Sequence, residues 1–424
     1  MGSKRWNPAP QGVTRRGALA SLAVLPFAAA LPGCGGGSSV EPEDFTLIAT
    51  DFSGGVQFID GNVRVAINAG GDIAFVATET PPPPSGFSQA LFVSQSGSLA
   101  KLPTETLGYV DVDAVAIASS GQVAFVATRN SPPSRRGVYR GNASTDSISA
   151  LYEADPAWSF GDAGGPPPQA RLALAANDTL AFSTLVSANG GLYRSPLAGP
   201  PVLLRAGSGT FFNNQEFALN DDGELVVQME YTDPNAGLSR GLLVFDTPGD
   251  TLATIESAGE RASVGWQPRV AINNVGQVAF SINTSLVIQY FTPPLPGGGM
   301  PSSTQTIPPG VHLATPTAFG LPFTLTTIAG PGDGYTSFGA VSVNAAGTVV
   351  FEAGYNGNSG VFFGDDPEDD VVAIAGENVT IGGVLQFFSI VRLGALNDAH
   401  QLVIQTSDFR TTDQKIWRVQ LPSD

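Results

Sequence analysis

The chain has 424 residues, 37 Asp and Glu against 20 Lys and Arg, and a formal net charge of -17; only 13% of its residues are charged and 42% are hydrophobic. This composition is too apolar for a charge-rich disordered chain and too acidic for a basic nucleic-acid binder. With 51 Gly and 33 Pro, turns must be frequent and helices few, while one Cys and two His (His312, His400) rule out a disulfide framework and a Cys-rich zinc site.

The first 33 residues read as an export signal. Lys4, Arg5, Arg15 and Arg16 are followed by an Ala- and Leu-rich run from Gly17 to Leu31. A basic segment, a short apolar segment and small residues at a cleavage point are the pattern of such signals. The run is broken by Pro26 and is shorter than the ~20 residues of a spanning helix. Thr14-Arg15-Arg16-Gly17-Ala18-Leu19 resembles a bacterial twin-arginine signal, with Ala18 where that pattern usually has Phe. Leu31-Pro32-Gly33-Cys34 resembles the lipobox of bacterial lipoproteins, which implies acylation of Cys34 as the first mature residue. Residues 34–44 follow as a lipid-bearing Cys and Gly/Ser tether. The expected location is the cell envelope, lipid-anchored, facing the periplasm or the cell surface. Loss of the four cations with the signal leaves a charge of -21 on the mature chain.

From Phe45 to Asp424 one phrase recurs: apolar strand, Asn-x-x-Gly, apolar strand ending in Ala-Phe. It begins at Val65, Val115, Leu172, Phe217, Val270, Val341 and Gly394. The spacings are 50, 57, 45, 53, 71 and 53 residues, and a period of this size with several strands per unit belongs to propeller blades. In the phrase, Asn68, Asn220, Asn273, Asn344 and Asn397 open a tight turn and bond following backbone amides. Gly71, Gly121, Gly223, Gly276 and Gly347 take the left-handed position. Asp178 and His400 stand in that position in two copies, and both residue types tolerate positive φ. Each phrase is followed by a third strand, as at Gly137–Arg140 and Gly360–Phe363, and mostly by a fourth. The last copy lacks its fourth strand after Lys415–Val419, whereas Phe45–Thr50 precedes the first copy as an unassigned strand. The expected fold is all-β: one seven-bladed propeller of four-stranded antiparallel blades, closed by the N-terminal strand. It replaces the roughly three domains that length alone favours.

This pattern resembles the bacterial choice-of-anchor tandem-repeat proteins with NxxGxxAF repeats. The resemblance covers nearly the whole mature chain, implies variation in the manner of attachment to the envelope, and transfers no activity or ligand.

Functional residues are sparse. The strand two to three and inter-blade connections, including residues 81–86, 131–136 and 232–239 and a Pro/Gly-rich insertion near 289–309 read as a surface loop, form the face where a protein or glycan partner is expected. The central channel ranks second. Trp158 and Trp266, in inter-blade connections, could offer flat apolar surfaces to a ligand, but packing is the better reading of both. Asp365, Asp366, Glu368, Asp369 and Asp370 concentrate the oxygen ligands that Ca²⁺ takes; the run lacks a spaced loop, so a solvated acidic turn is the simpler reading, as it is for Asp221-Asp222-Gly223-Glu224. No nucleophile elbow is visible, and no catalytic residue or cofactor is assigned. The expectation is a monomeric, non-enzymatic, lipid-anchored binding scaffold, with no nucleic-acid partner. The alternatives are a hydrolase or lyase with its site at the ring centre, where polar and acidic groups from several blades would converge, and a purely structural envelope component.

Overall fold

The computed structural model describes all residues except 1–39, 42–43, 51–55, 58–64, 80–88, 105, 113, 131–133, 143–146, 154–171, 176–178, 185–190, 196–200, 207–216, 234–236, 246–250, 258–268, 292–301, 317–323, 411–412 and 423–424. Among the described residues there is no α-helix, and the strands pair into antiparallel sheets, seven of them with four strands or more, plus one separate two-stranded hairpin.

Each of the larger sheets contains one copy of the phrase, folded as a hairpin: Val65–Ile67 pairs with Ile73–Glu79, Val115–Ile117 with Gln122–Arg129, and so on to Ile390–Leu396 with Gln401–Asp408. The second strand of the phrase is apolar on both faces because it lies between two neighbouring sheets. In the second copy Val123, Phe125 and Ala127 pack with Ala74, Val76 and Leu91 of the preceding repeat, whereas Ala124 and Val126 pack with Leu180, Phe182 and Tyr193 of the following one. Alternation along one strand thus joins three repeats. Every junction around the ring has such an apolar cluster, including that between the last repeat and the first, where Val403 and Ile416 meet Ile73, Phe75 and Phe92.

The ring closes as the sequence indicates. Phe45–Thr50 pairs antiparallel with Asp413–Gln420, placing Phe45 opposite Val419 and Leu47 opposite Trp417, so the first strand completes the last sheet. Trp417 is buried, packs edge-on against Phe45 and donates its indole N–H to Thr406 Oγ1 at 2.9 Å. The protein is therefore a β-propeller with the N-terminal strand as its closure.

One expectation changes. The 289–309 insertion is not a plain surface loop: Leu286–Phe291 and Ser302–Ile307 form a hairpin that adds to the sheet of the fourth repeat through Glu256↔Gln289 and Ser257↔Ile288. Its Thr, Val, Ile and Tyr content has the β-propensity that a reading based on Pro and Gly passes over; residues 292–301 lie outside the described residues.

Candidate functional site

The turn of each phrase sets the inner end of its sheet. In the first repeat Gly71 N–H donates to Asn68 O at 3.0 Å, Asn68 N–H to Asp72 O at 3.0 Å, and Asp72 N–H to Asn68 Oδ1 at 2.9 Å. The same side-chain bond recurs at Asn220, Asn273, Asn344 and Asn397, each accepting from the amide four residues on. The fourth turn position is left-handed throughout the described copies, with φ of 82° at Gly71 and 58° at His400, so His400 serves the turn. Gly121, Gly223, Gly276 and Gly347 do likewise; Asp178 lies outside the described residues.

The second half of the Asn side chain has a use that the turn reading did not reach. Asn68 Nδ2 donates to Ala118 O of the next repeat at 3.0 Å, Asn220 to Asn273 O at 2.9 Å, Asn273 to Asn344 O at 2.8 Å, and Asn397 back to Asn68 O at 2.9 Å. One amide thus shapes its own turn and ties it to its neighbour. Ala118 and Ala175 occupy the same position in the second and third repeats and have no amide to donate. Asn344 Nδ2 is buried without a partner; Thr348 stands four residues beyond it, where its counterparts have Asp72, Glu224, Gln277 or Gln401 as side-chain acceptors.

These turns surround a cavity of about 170 Å³ on the ring axis. Ile67, Ile117, Leu174, Leu219, Ile272, Val343 and Leu396, one from each repeat, contribute apolar lining, and Asn68, Asn220, Asn273 and Asn397 contribute polar lining. The residue after the turn Asn forms a third set: Ala69, Ser119, Asp221, Asn274 and Asp398 also line the cavity. Three of these connect. Asn274 Nδ2 donates to Asp221 Oδ2 at 2.9 Å and to Asp398 Oδ2 at 3.0 Å, Asp221 N–H donates to Asn274 Oδ1 at 2.8 Å, and Ala345 N–H to Asp398 Oδ1 at 2.6 Å. Two carboxylates from the fourth and seventh repeats are thereby held by one amide from the fifth. No Lys or Arg is among the lining residues. Sequence reasoning had treated Asp221 as turn surface and had singled out neither Asn274 nor Asp398. The available signal was the column of residues following the turn Asn, read across the repeats.

The other candidates separate. Asp366 Oδ1 accepts from the amides of Glu368 and Asp369, and Asp370 N–H donates to Asp366 O, so the acidic run is a self-bonded turn. Burial raises the pKa of Glu368 and of Asp370. Among the described residues no three His, Cys, Asp or Glu side chains are grouped to hold a metal ion, and Asp365–Asp370 are not brought together as a Ca²⁺ site. His312 is 1% exposed, with Nε2 3.0 Å from Pro308 O and Nδ1 3.3 Å from Thr327 Oγ1. Burial lowers its pKa; a neutral imidazole donating from Nε2 and accepting at Nδ1 satisfies both contacts. Cys34, Arg15, Arg16, Trp158 and Trp266 lie outside the described residues, as does the 81–86 connection.

No family model matches the chain, and no curated protein matches it. Among solved structures it is similar to a prolyl endopeptidase, at a TM-score of 0.51 and 14% identity, covering 84% of this chain and 47% of that one. It is also similar to prolyl oligopeptidase B from Galerina marginata, at 0.50 and 8%, covering 97% and 52%. The β-propeller domain of the Trilobed protease from Pyrococcus furiosus matches at 0.48 and 9%, covering 88% and 97%. The chain spans about half the length of the prolyl peptidases it matches. These likenesses are of fold. The expectation of a non-enzymatic scaffold is corrected at the ring centre, where a polar cavity with two carboxylates answers better to the hydrolase alternative; the solved structures of like fold include peptidases.

Proposed function

We propose that the protein takes part in hydrolysis, with peptides as the substrate class and the ring-centre cavity as the place where substrate is held. The observation that carries this reading is the Asp221–Asn274–Asp398 arrangement inside the cavity. Both carboxylate oxygens bond the same nitrogen, so they cannot lie farther apart than the two bond lengths together. Two carboxylates at that separation, facing a cavity, can serve acid–base chemistry: one takes a proton from an attacking water and passes that proton to the leaving nitrogen, while the other orients the water. Asn274 fixes their orientation. The cavity has room for a chain end or one side chain, at roughly 30 Å³ per water molecule. The likeness to prolyl peptidases supports peptide as the substrate.

The test is a panel of quenched fluorescent peptides, proline-containing and proline-free, incubated with the full chain and with Asp221→Asn, Asp398→Asn and Asn274→Ala. Cleavage that falls by about a hundredfold in the Asp variants, as loss of a general acid or base requires, is the expected result. Absence of cleavage across the panel, or cleavage indifferent to all three substitutions, would overturn the reading.

The N-terminal reading joins it as part of the same proposal: export through a twin-arginine-like signal and acylation of Cys34 hold the propeller at the envelope membrane. Cys34→Ala should move the protein from the membrane fraction to the soluble one.

A further inference from the structure

The second repeat concentrates positive charge. Residues 114–145 hold four arginines, Arg129, Arg135, Arg136 and Arg140, and no carboxylate, in a chain of net charge -17. Two of the four meet on one face of the sheet, at the end of the hairpin away from the phrase turn. Arg129 ends the strand Gln122–Arg129, Arg135 begins Arg135–Asn142, and the two stand directly opposite each other in the antiparallel pair. Tyr109, in the short strand Tyr109–Val110, is opposite Arg129 on its other side. Glu153 lies opposite Gly137, two residues along from Arg135 and therefore on the same face.

Glu153 is committed to one of the two cations. Arg129 Nη2 donates to both of its oxygens, at 2.9 and 3.0 Å, whereas Arg135 Nη1 stands 3.9 Å from Oε2. Arg129 Nε is buried with no partner among the described residues, and the Arg135 guanidinium has no hydrogen-bond acceptor among them. Both side chains are 37% exposed, so both reach solvent. Their floor is aromatic. Tyr139, fully buried, donates its O–H to Arg135 O at 3.1 Å and packs edge-on against Tyr109, with ring centroids 4.6 Å apart. A Cβ at Gly137 would collide with Tyr152 O and press on the Tyr139 ring, so glycine is what lets that ring lie back along the strand toward Arg135. Burial, and then the charge of Glu153, holds the Tyr139 phenol above its ordinary range, so it remains a neutral donor.

We propose that Arg129 and Arg135 form a binding site for the carboxylate group of an organic ligand. Like charges directly opposite in a sheet are unfavourable, and an ion pair with Glu153 needs only one of these two. The second guanidinium presents a planar fork of donors that matches a pair of carboxylate oxygens. Two guanidiniums and Glu153 together leave one positive charge, which a monoanionic carboxylate cancels. A phosphate dianion would instead leave the site negative beside Glu153. None of these residues lines the ring-centre cavity, and binding here does not depend on hydrolysis there.

The experiment titrates the full chain with N-acetylglycine and follows binding by ligand-observed NMR. N-acetylglycinamide is the uncharged match, and inorganic phosphate is the competing oxoanion. Saturable binding of the acid, absent with the amide, is expected. Arg135→Gln should weaken it by about tenfold through loss of a charge-assisted bond, and Arg135→Lys should weaken it too, since the charge stays but the fork is gone. Arg140→Gln removes the same charge from the opposite face of the same strand and should change affinity by less than about twofold. Thermal unfolding of each variant against the parent checks that the fold is kept. No saturable binding, equal binding of acid and amide, or equal weakening by Arg135→Gln and Arg140→Gln overturns the proposal. Tighter binding of phosphate than of N-acetylglycine, lost in Arg135→Gln, overturns the assignment to a carboxylate.

Discussion

Asn273 shows how much one side chain does in this ring. Its Oδ1 accepts from the amides of Val275 and Gln277, and its Nδ2 donates to Gln277 Oε1 and to Asn344 O of the next repeat. The residue is 3% exposed, so Asn273→Ala leaves buried groups unpaired, and stability measured by denaturant should fall by about 2 kcal/mol; a loss within error would mean that water replaces the amide. His312 supplies a second residue-scale expectation. Its folded pKa lies below the ordinary 6.5, so as pH falls the unfolded chain binds the proton first. Its contribution to stability is full above about pH 6.5 and is lost as pH drops below that value. His312→Phe should flatten that limb of the stability profile, and an unchanged acid limb would count against this assignment. The asparagines were legible in the sequence as turn formers because their spacing to Gly is local. Their inter-repeat bonds were not, since Nδ2 and its acceptor are separated by 50 to 329 residues.

At the scale of elements, the phrase hairpin was legible because both its strands and its turn lie within about a dozen residues and obey local rules. The insertion was misread for the opposite reason: its strands flank a Pro- and Gly-rich stretch whose composition hides them. Not all junctions are equal. Ala118 and Ala175 interrupt the run of amide links around the third repeat, and the partner-free Asn344 Nδ2 marks another weak point between the sixth and seventh. Ala118→Asn and Ala175→Asn restore the residue that neighbouring turns use, and each should raise stability by about 1 kcal/mol, the usual worth of a hydrogen bond. Thermal unfolding of the single and double variants would check this. No gain from either would show that those two junctions are spaced differently from the rest.

For the whole molecule, the closed ring was readable from an unpaired first strand and an incomplete last repeat, two facts at opposite ends of one line of letters. The ring-centre carboxylates were not readable: Asp221 and Asp398 meet only through Asn274, across 53 and 124 residues, and nothing local distinguishes them from other acidic turn residues. Deleting residues 45–50 removes the closing strand and leaves the edge of Asp413–Gln420 open. That variant should unfold at lower denaturant or elute as an oligomer in size-exclusion chromatography, and an unaltered monomer with unaltered transition would show that closure is dispensable.

The closing strand also orders events in time. Phe45 and Val419 are 374 residues apart, whereas each phrase hairpin needs only near neighbours and can form early. Until that distant pair meets, a nearly finished molecule presents a donor strand at one end and its acceptor edge at the other. Either can be satisfied by another copy. Dilution during refolding therefore favours self-closure, and crowding favours chains linked strand to edge in series.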